Sequence, residues 1–299
     1  MKKLILSLLV AVGLIGSASA QVIYYSYGPN GSIGEIDQNG YQSTYVSNPI
    51  QSSSSGSITF DSQGNLYESD DQNNSIIKIS SDGNVSTFAS GALFQNPSGI
   101  AFDSQGNLFV ENYNWVNQTS VVKVTPQGTA SQFASIQGGG SGLAIDSSDN
   151  LYAVNYAYGQ IYKIDSSGNL STFASTGISA PTSLVFNSAG ELFASFQGWA
   201  NSSAQILKFE PNGTSSTFYN FGSNPNGLGL NDLAFDSNDN LYARYGASIY
   251  KFQNGNISTF ATGIQGGSGL TIGGVPEPST YALFGLGTIG MLVVMRRKS

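Results

Sequence analysis

Runs of alternating apolar and polar residues, each a few residues long and closed by a glycine- or asparagine-bearing turn, fill the middle of the chain. The pattern is itself repeated. A first pair of runs reads Ile58-Thr59-Phe60-Asp61-Ser62-Gln63-Gly64-Asn65-Leu66-Tyr67, and it returns over 100–109, 143–152, 184–193 and 233–242. A second pair follows each time: Ile76-Ile77-Lys78-Ile79, a glycine turn, then Ser86-Thr87-Phe88. It returns around Lys123, Lys163, Lys208 and Lys251. Alternation with a period of two marks a strand with its two faces in different surroundings, so each unit predicts four short strands. The turn residues Asp61, Asp103, Asp146, Asn187 and Asp236 are spaced by 42, 43, 41 and 49 residues. Four strands at such a period predict the blades of a β-propeller.

The turns support the reading. An aspartate at the head of Asp61-Ser62-Gln63-Gly64-Asn65 accepts from the backbone N–H groups that follow it, and Gly64 supplies a positive φ. Asp149 and Asp239 stand in the glycine's place in two units, and aspartate is among the few residues that enter the left-handed region. Five units leave a ring open, but the ends supply a sixth. Ser268-Gly269-Leu270-Thr271-Ile272 matches an innermost strand, and residues 22–27, 32–37 and 42–46 match the other three. The expected fold is all-β: a six-bladed β-propeller over 21–274, closed by N- and C-terminal strands that share one blade and leave no free edge at the join.

Composition narrows the chemistry. The 299 residues contain neither cysteine nor histidine. No disulfide framework is available, and the commonest neutral-pH base and metal ligand is missing. Without residues 1–20 and the tail from Pro276, the body carries 6 basic and 17 acidic side chains, a formal charge of −11. Such a body repels nucleic acid and anionic membrane surfaces, so no nucleic-acid partner is expected.

The two ends read as addresses. Met1-Lys2-Lys3, an apolar run from Leu4 to Ile15 and Ala18-Ser19-Ala20 form a signal peptide over 1–20 for the Sec pathway, cleaved before Gln21. An uncleaved anchor helix is the alternative. At the other end, Pro276-Glu277-Pro278 precedes an apolar helix over 281–295 and the cluster Arg296-Arg297-Lys298. Fifteen residues make a helix of about 22 Å, short of a hydrocarbon core of roughly 30 Å, and span it only with local thinning and snorkelling. The basic cluster keeps the C-terminus cytoplasmic and the body outside. Segment 275–299 closely resembles the PEP-CTERM sorting signal in the order and spacing of its three parts. The resemblance implies a Gram-negative envelope, an inner-membrane intermediate held by the transmembrane helix, and processing by an exosortase. It further implies delivery to the cell surface or an extracellular polysaccharide matrix. A permanent tail anchor is the bland alternative.

The repeat itself resembles NHL and gluconolactonase-like propellers, with Asn96-Pro97-Ser98-Gly99-Ile100-Ala101 and the Asp-x-x-Gly-Asn turn carrying the likeness. A gluconolactonase-like enzyme holds a divalent metal with ligands at the starts of innermost strands. The matching positions here are Gly56, Ser98, Ser141, Thr182, Asn231 and Ser268, of which Asn231 alone is a plausible ligand. No metal or other cofactor is expected. Variable loops between second and third strands are the natural place for binding. Candidates there and at the strand starts are Asp70, Asn112, Trp115, Asn155, Tyr156, Trp199, Asn231 and Tyr245. Aromatic faces beside amides suit sugar rings, although the same aromatics can simply cap the blades. Glu68, Asp70, Asp71 and Glu111 read as a carboxylate pair, a Ca²⁺ cluster or, more simply, solvated loop charge. The lysines, one per unit, read as consensus surface residues. The expectation is an exported binding or matrix-associated protein, not an enzyme, whose partner is polysaccharide or another surface protein. The alternative is a carbohydrate-active or lactone-directed enzyme using carboxylates.

Overall fold

A computed structural model describes residues 21–274, apart from 29, 30, 48, 50–55, 115–117, 139, 141, 179, 198–202, 224–228 and 265. The signal segment, the sorting helix, Trp115 and Trp199 lie outside the described residues. Blade 1 starts with β1 (Gln21–Tyr27), β2 (Ser32–Ile36) and β3 (Gln42–Val46). Blade 2 holds β4 (Ile58–Phe60), β5 (Leu66–Asp70), β6 (Ser75–Ile79) and β7 (Val85–Ser90). Blade 3 holds β8 (Pro97–Phe102), β9 (Leu108–Asn112), β10 (Gln118–Val124) and β11 (Ala130–Gln137). Blade 4 holds β12 (Leu143–Ile145), β13 (Leu151–Asn155), β14 (Gln160–Ile164) and β15 (Leu170–Ser175). Blade 5 holds β16 (Pro181–Phe186), β17 (Leu192–Phe196), β18 (Ser203–Phe209) and β19 (Ser215–Ser223). Blade 6 holds β20 (Leu230–Phe235), β21 (Leu241–Tyr245), β22 (Ser248–Gln253) and β23 (Asn256–Thr262). The last strand, β24 (Leu270–Gly274), returns to β1, giving six four-stranded antiparallel sheets with the first ordered β24-β1-β2-β3. The shared blade predicted from the two ends is therefore present, in register Ile23↔Ile272 and Tyr25↔Leu270.

The core lies in the seams between blades, and one aromatic per blade organises it. Tyr24, Tyr67, Phe109, Tyr152, Phe193 and Tyr242 occupy the same place on each second strand. Each meets, edge to face, an aromatic of its own outer strand: Tyr45, Phe88, Phe133, Phe173, Phe218 or Phe260. Ring centroids are 4.8–5.2 Å apart and interplanar angles 72–88°. In four seams Phe60, Phe102, Phe186 or Phe235 of the next blade closes a triad at 4.9–5.1 Å. Ile145 and Ile272 fill that place in the other two. T-shaped pairs contribute about 0.5–1.5 kcal/mol beyond burial, so the ring is stitched without disulfides.

The lysine series belongs to this stitching. Lys78, Lys123, Lys163 and Lys251 lie opposite the second-strand aromatic in the ladder and place Nζ 5.2–5.4 Å from its ring centroid. Lys123 and Lys163 also pair with the turn aspartates Asp103 and Asp146 at 3.8 and 3.6 Å. Those aspartates close their turns as the sequence predicts. Asp61 Oδ1 accepts from the Gln63 and Asn65 amides at 2.9 and 2.8 Å, and Oδ2 accepts from Asn65 Nδ2 at 2.7 Å.

Asp149 and Asp239 do adopt positive φ, 59° and 58°. Their carboxylates have a further use. Asp149 accepts from the backbone N and Oγ of Ser104 at 2.9 and 2.6 Å, joining the turn of blade 4 to that of blade 3. Asp239 does the same with Ser188 across blades 5 and 6. Ser104→Ala is expected to lower the melting temperature in the wild-type chain and to do nothing in an Asp149→Gly background, where glycine keeps the turn and only the tie is lost. Additive effects in that double-mutant cycle would overturn the tie. The serine bonds hold both carboxyls below the usual carboxylate range. Their contribution is therefore complete above the unfolded pKa of about 3.9 and disappears as pH falls through the lower folded value.

Candidate functional site

In each four-stranded meander the first and third turns lie at one end of the blade, and the loop between second and third strands lies at the other, here termed the upper end. Asp70, Asn112 and Asn155 occupy one equivalent position, the last residue of the second strand, and are 2, 3 and 0 % exposed. Their polar atoms are engaged by neighbouring loops and strands. Asp70 accepts from the amide and side chain of Asn73 at 3.1 and 2.7 Å. Asn112 accepts from the Gln95 amide at 3.0 Å and donates to Leu93 O and Ser120 Oγ at 2.8 and 2.9 Å. Asn155 accepts from the amides of Ala157 and Tyr158, both at 3.1 Å, and donates to the Tyr162 hydroxyl. In blade 6 the position is Tyr245, half-buried against Phe221 at 4.5 Å, beside the bulge that holds Asn231. In blade 5 it is Phe196, fully buried.

The next residue along forms the more continuous surface. Tyr113 and Tyr156 meet edge to face at 6.2 Å, the Tyr156 hydroxyl donates to Gln197 Oε1 at 3.1 Å, and Gln197 Nε2 donates to Asn231 Oδ1 at 3.3 Å. This arc crosses from blade 3 to blade 6. At its blade 3 end opens a cleft of about 590 Å³. Its walls are the amides of Gln95, Asn96, Asn114 and Gln132, the hydroxyls of Thr119, Ser120 and Ser135, the Asp71 carboxylate and the Tyr113 ring.

The carboxylates do not all read as solvated loop charge. Glu68 and Glu111 are completely buried. Glu111 faces blade 4 and accepts from the Gly140 amide at 2.9 Å; among the described residues its Oε2 and both oxygens of Glu68 find no hydrogen-bond partner. Burial drives both carboxyls well above the usual carboxylate range, with the Asp70 charge adding to the effect on Glu68.

Sequence reasoning missed Asp232. It lines an axial channel of about 290 Å³ walled by the innermost strands of all six blades, and among the described residues it is the one carboxylate there. Ser183 Oγ and the Leu233 amide donate to Oδ1 at 2.5 and 2.9 Å, and the Leu270 amide donates to Oδ2 at 2.8 Å. Burial outweighs these bonds and the nearby Arg244 charge, and the carboxyl is pushed up to about 6. A signal was available: the equivalent positions are Ser57, Gly99, Gly142, Ser183 and Gly269, so one acid interrupts a series of small residues. The divalent-metal set implied by the gluconolactonase likeness does not fit these residues. Asn231 already accepts from Gln197, and among the described residues no three His, Cys, Asp or Glu side chains gather as ligands would. No step is derived through a metal.

The PEP-CTERM protein-sorting motif matches residues 274–298. It implies a secreted protein that is held transiently at the membrane and processed by exosortase. Among the described residues no helix is long and apolar enough to cross a membrane. No curated protein matches the chain in sequence. Among solved structures, the virginiamycin B lyase of Staphylococcus aureus is 17% identical with a TM-score of 0.60, over 82% of this chain and 87% of that one. A streptogramin B lyase is 17% identical with a TM-score of 0.62, over 84% and 91%. A gluconolactonase of Xanthomonas campestris is 13% identical with a TM-score of 0.60, over 79% and 86%. These neighbours correct the expectation that the chain is not an enzyme. They are lyases and a lactonase, so the architecture is one that carries catalysis in those proteins. The chain is a six-bladed β-propeller resembling streptogramin B lyase and gluconolactonase-like proteins, and it carries a PEP-CTERM protein-sorting motif behind its last strand.

Proposed function

We propose that the exported propeller engages polysaccharide of the extracellular matrix through the upper cleft of blade 3. The observation that carries this reading is the cleft's wall, where amides and hydroxyls outnumber the single carboxylate and Tyr113 offers a ring face. A chain rich in hydroxyls finds donors and acceptors there without meeting a strong charge, and the ring takes the apolar face of a sugar. The body's charge of −11 directs the reading to neutral glycans over anionic ones. The double substitution Tyr113→Ala with Gln132→Ala is expected to weaken retention on matrix glycan about tenfold, the equivalent of 1.4 kcal/mol. Gel retardation in glycan-loaded gels measures it, and unchanged mobility would refute the cleft.

Asp232 favours a second reading, acid–base chemistry on a small molecule in the axial channel. A carboxyl with a pKa of about 6 is divided between its two forms near neutral pH, which suits a proton-transfer group. Turnover in that case disappears in Asp232→Asn and its pH profile bends near that value.

A further inference from the structure

We propose a second ligand site at the lower end of the seam between blades 5 and 6, which takes a neutral or cationic pyranose ring. It goes beyond the upper cleft and lies at the opposite end of the blades.

The site arises from one exchange in the repeat. In blades 2, 3, 4 and 6 the first turn places a carboxylate at its head and asparagine at its close, and the lysine of the third strand covers the second-strand aromatic. In blade 5 the order is inverted, with Asn187 at the head and Glu191 at the close. The turn still forms, because Asn187 Oδ1 accepts from the Glu191 amide at 2.9 Å and Nδ2 donates to Glu191 Oε2 at 2.7 Å. The carboxylate now stands four residues further on and takes Lys208 at 2.5 Å. Lys208 lies opposite Phe193 in the ladder, as its counterparts lie opposite their aromatics. Yet those four counterparts sit over a ring, and Lys208 does not.

With the lysine drawn off the ring to Glu191, a cavity of about 400 Å³ opens onto Phe193, Phe218 and Phe235, rimmed by the Lys208–Glu191 pair, Asp239 and Asn254. Phe218 is 42% exposed, whereas Phe88, Phe133, Phe173 and Phe260 at the same place are half-buried. The volume falls in the range of small-ligand pockets, roughly 300–1,000 Å³. An open aromatic face takes the C–H side of a sugar ring, while a carboxylate and an amide at the rim accept from and donate to its hydroxyls. Charge selects among sugars. Lys208 is neutralised by Glu191, Asp239 remains, and the body is strongly acidic, so an amino sugar is attracted and a uronate repelled.

Saturation-transfer NMR on the full chain in a zwitterionic detergent tests the site, with D-glucose, D-glucosamine and D-glucuronate as probes. A Tyr113→Ala and Gln132→Ala background removes the upper cleft's contribution, so failure of either site is seen separately. The expected result is transfer to glucosamine above glucose, and none to glucuronate. The pair Asn187→Asp and Glu191→Asn rewrites the turn in the repeat's own form, returns Lys208 to the Phe193 ring and reduces transfer to background. Phe218→Ala, at an exposed position, does the same through loss of the stacking face. No transfer in the starting chain, transfer to glucuronate as strong as to glucosamine, or transfer that persists in both variants would each overturn the proposal.

Discussion

Replacing Arg244 by alanine is expected to cost about 3–5 kcal/mol and to lower the melting temperature by roughly 10 °C. Arg244 is 1% exposed and stands on β21 of blade 6, facing blade 1. It donates to Ser26 O at 2.8 Å and to Gly266 O, so one side chain holds both β1 and the segment that enters β24. Ser26 continues the lock: its Oγ accepts from the Gly269 amide at 2.8 Å, and its own amide donates to Gly269 O at 3.1 Å. These bonds reinforce the one place where the ring closes without a covalent link, the β24–β1 ladder of the blade assembled from both ends. Burial lowers the guanidinium pKa to about 10, partly offset by Asp232, and leaves it charged at neutral pH. Truncation therefore orphans the buried Ser26 carbonyl, releases the Gly266 segment, opens a cavity and removes the cation that offsets Asp232. Arg244→Lys keeps the charge but loses the fork and is expected to recover only part of the loss. Thermal unfolding followed by circular dichroism reads both variants, and a melting point for Arg244→Ala within a degree of the wild type would show that the clasp closes without it.

The blades were legible because the chain states them repeatedly. The Asp-x-x-Gly-Asn turn, the lysine and the aromatic pairs recur at fixed offsets, and each has a local role that a single unit suffices to explain. The shared blade was legible for the same reason, since Ser268–Ile272 and residues 22–46 are fragments of a known unit. The site was harder to read, because its determinants lie between units. Glu68 and Glu111 sit one or two residues before the end of the second strand, where a sequence reader places the start of a loop. The strands run on to Asp70 and Asn112, and the side chains before them point into seams. Asp232 gains its meaning from a radial position that emerges only when six strands surround one axis. The inverted turn of blade 5 is visible as Asn187 and Glu191, yet its consequence depends on Lys208 across the ladder.

Glu68→Gln is expected to raise the melting temperature at pH 7 and to leave it unchanged at pH 4. Glu111→Gln should show the same signs with a smaller change, because the Gly140 amide already supports one charged oxygen. In the unfolded chain both carboxyls titrate near the ordinary value of about 4.3. In the fold, desolvation holds both well above it. Between the unfolded and folded values the native state keeps protons that the unfolded state has released, so stability falls as pH rises through that window and is flat above it. The loss is about 1.4 kcal/mol for each pH unit over which a buried proton is retained. Glutamine carries no titrating proton and removes that share of the slope. Asp232, raised to about 6, contributes a fall of the same sign between roughly pH 4 and 6, which neither variant removes. The surface ties at Asp149 and Asp239 act in the opposite sense and at lower pH, so a melting profile from pH 3 to 8 separates the two groups. A Glu68→Gln variant that is destabilised equally at pH 4 and pH 7 would mean that the carboxyl's shape, not its proton, is what the seam between blades 1 and 2 requires.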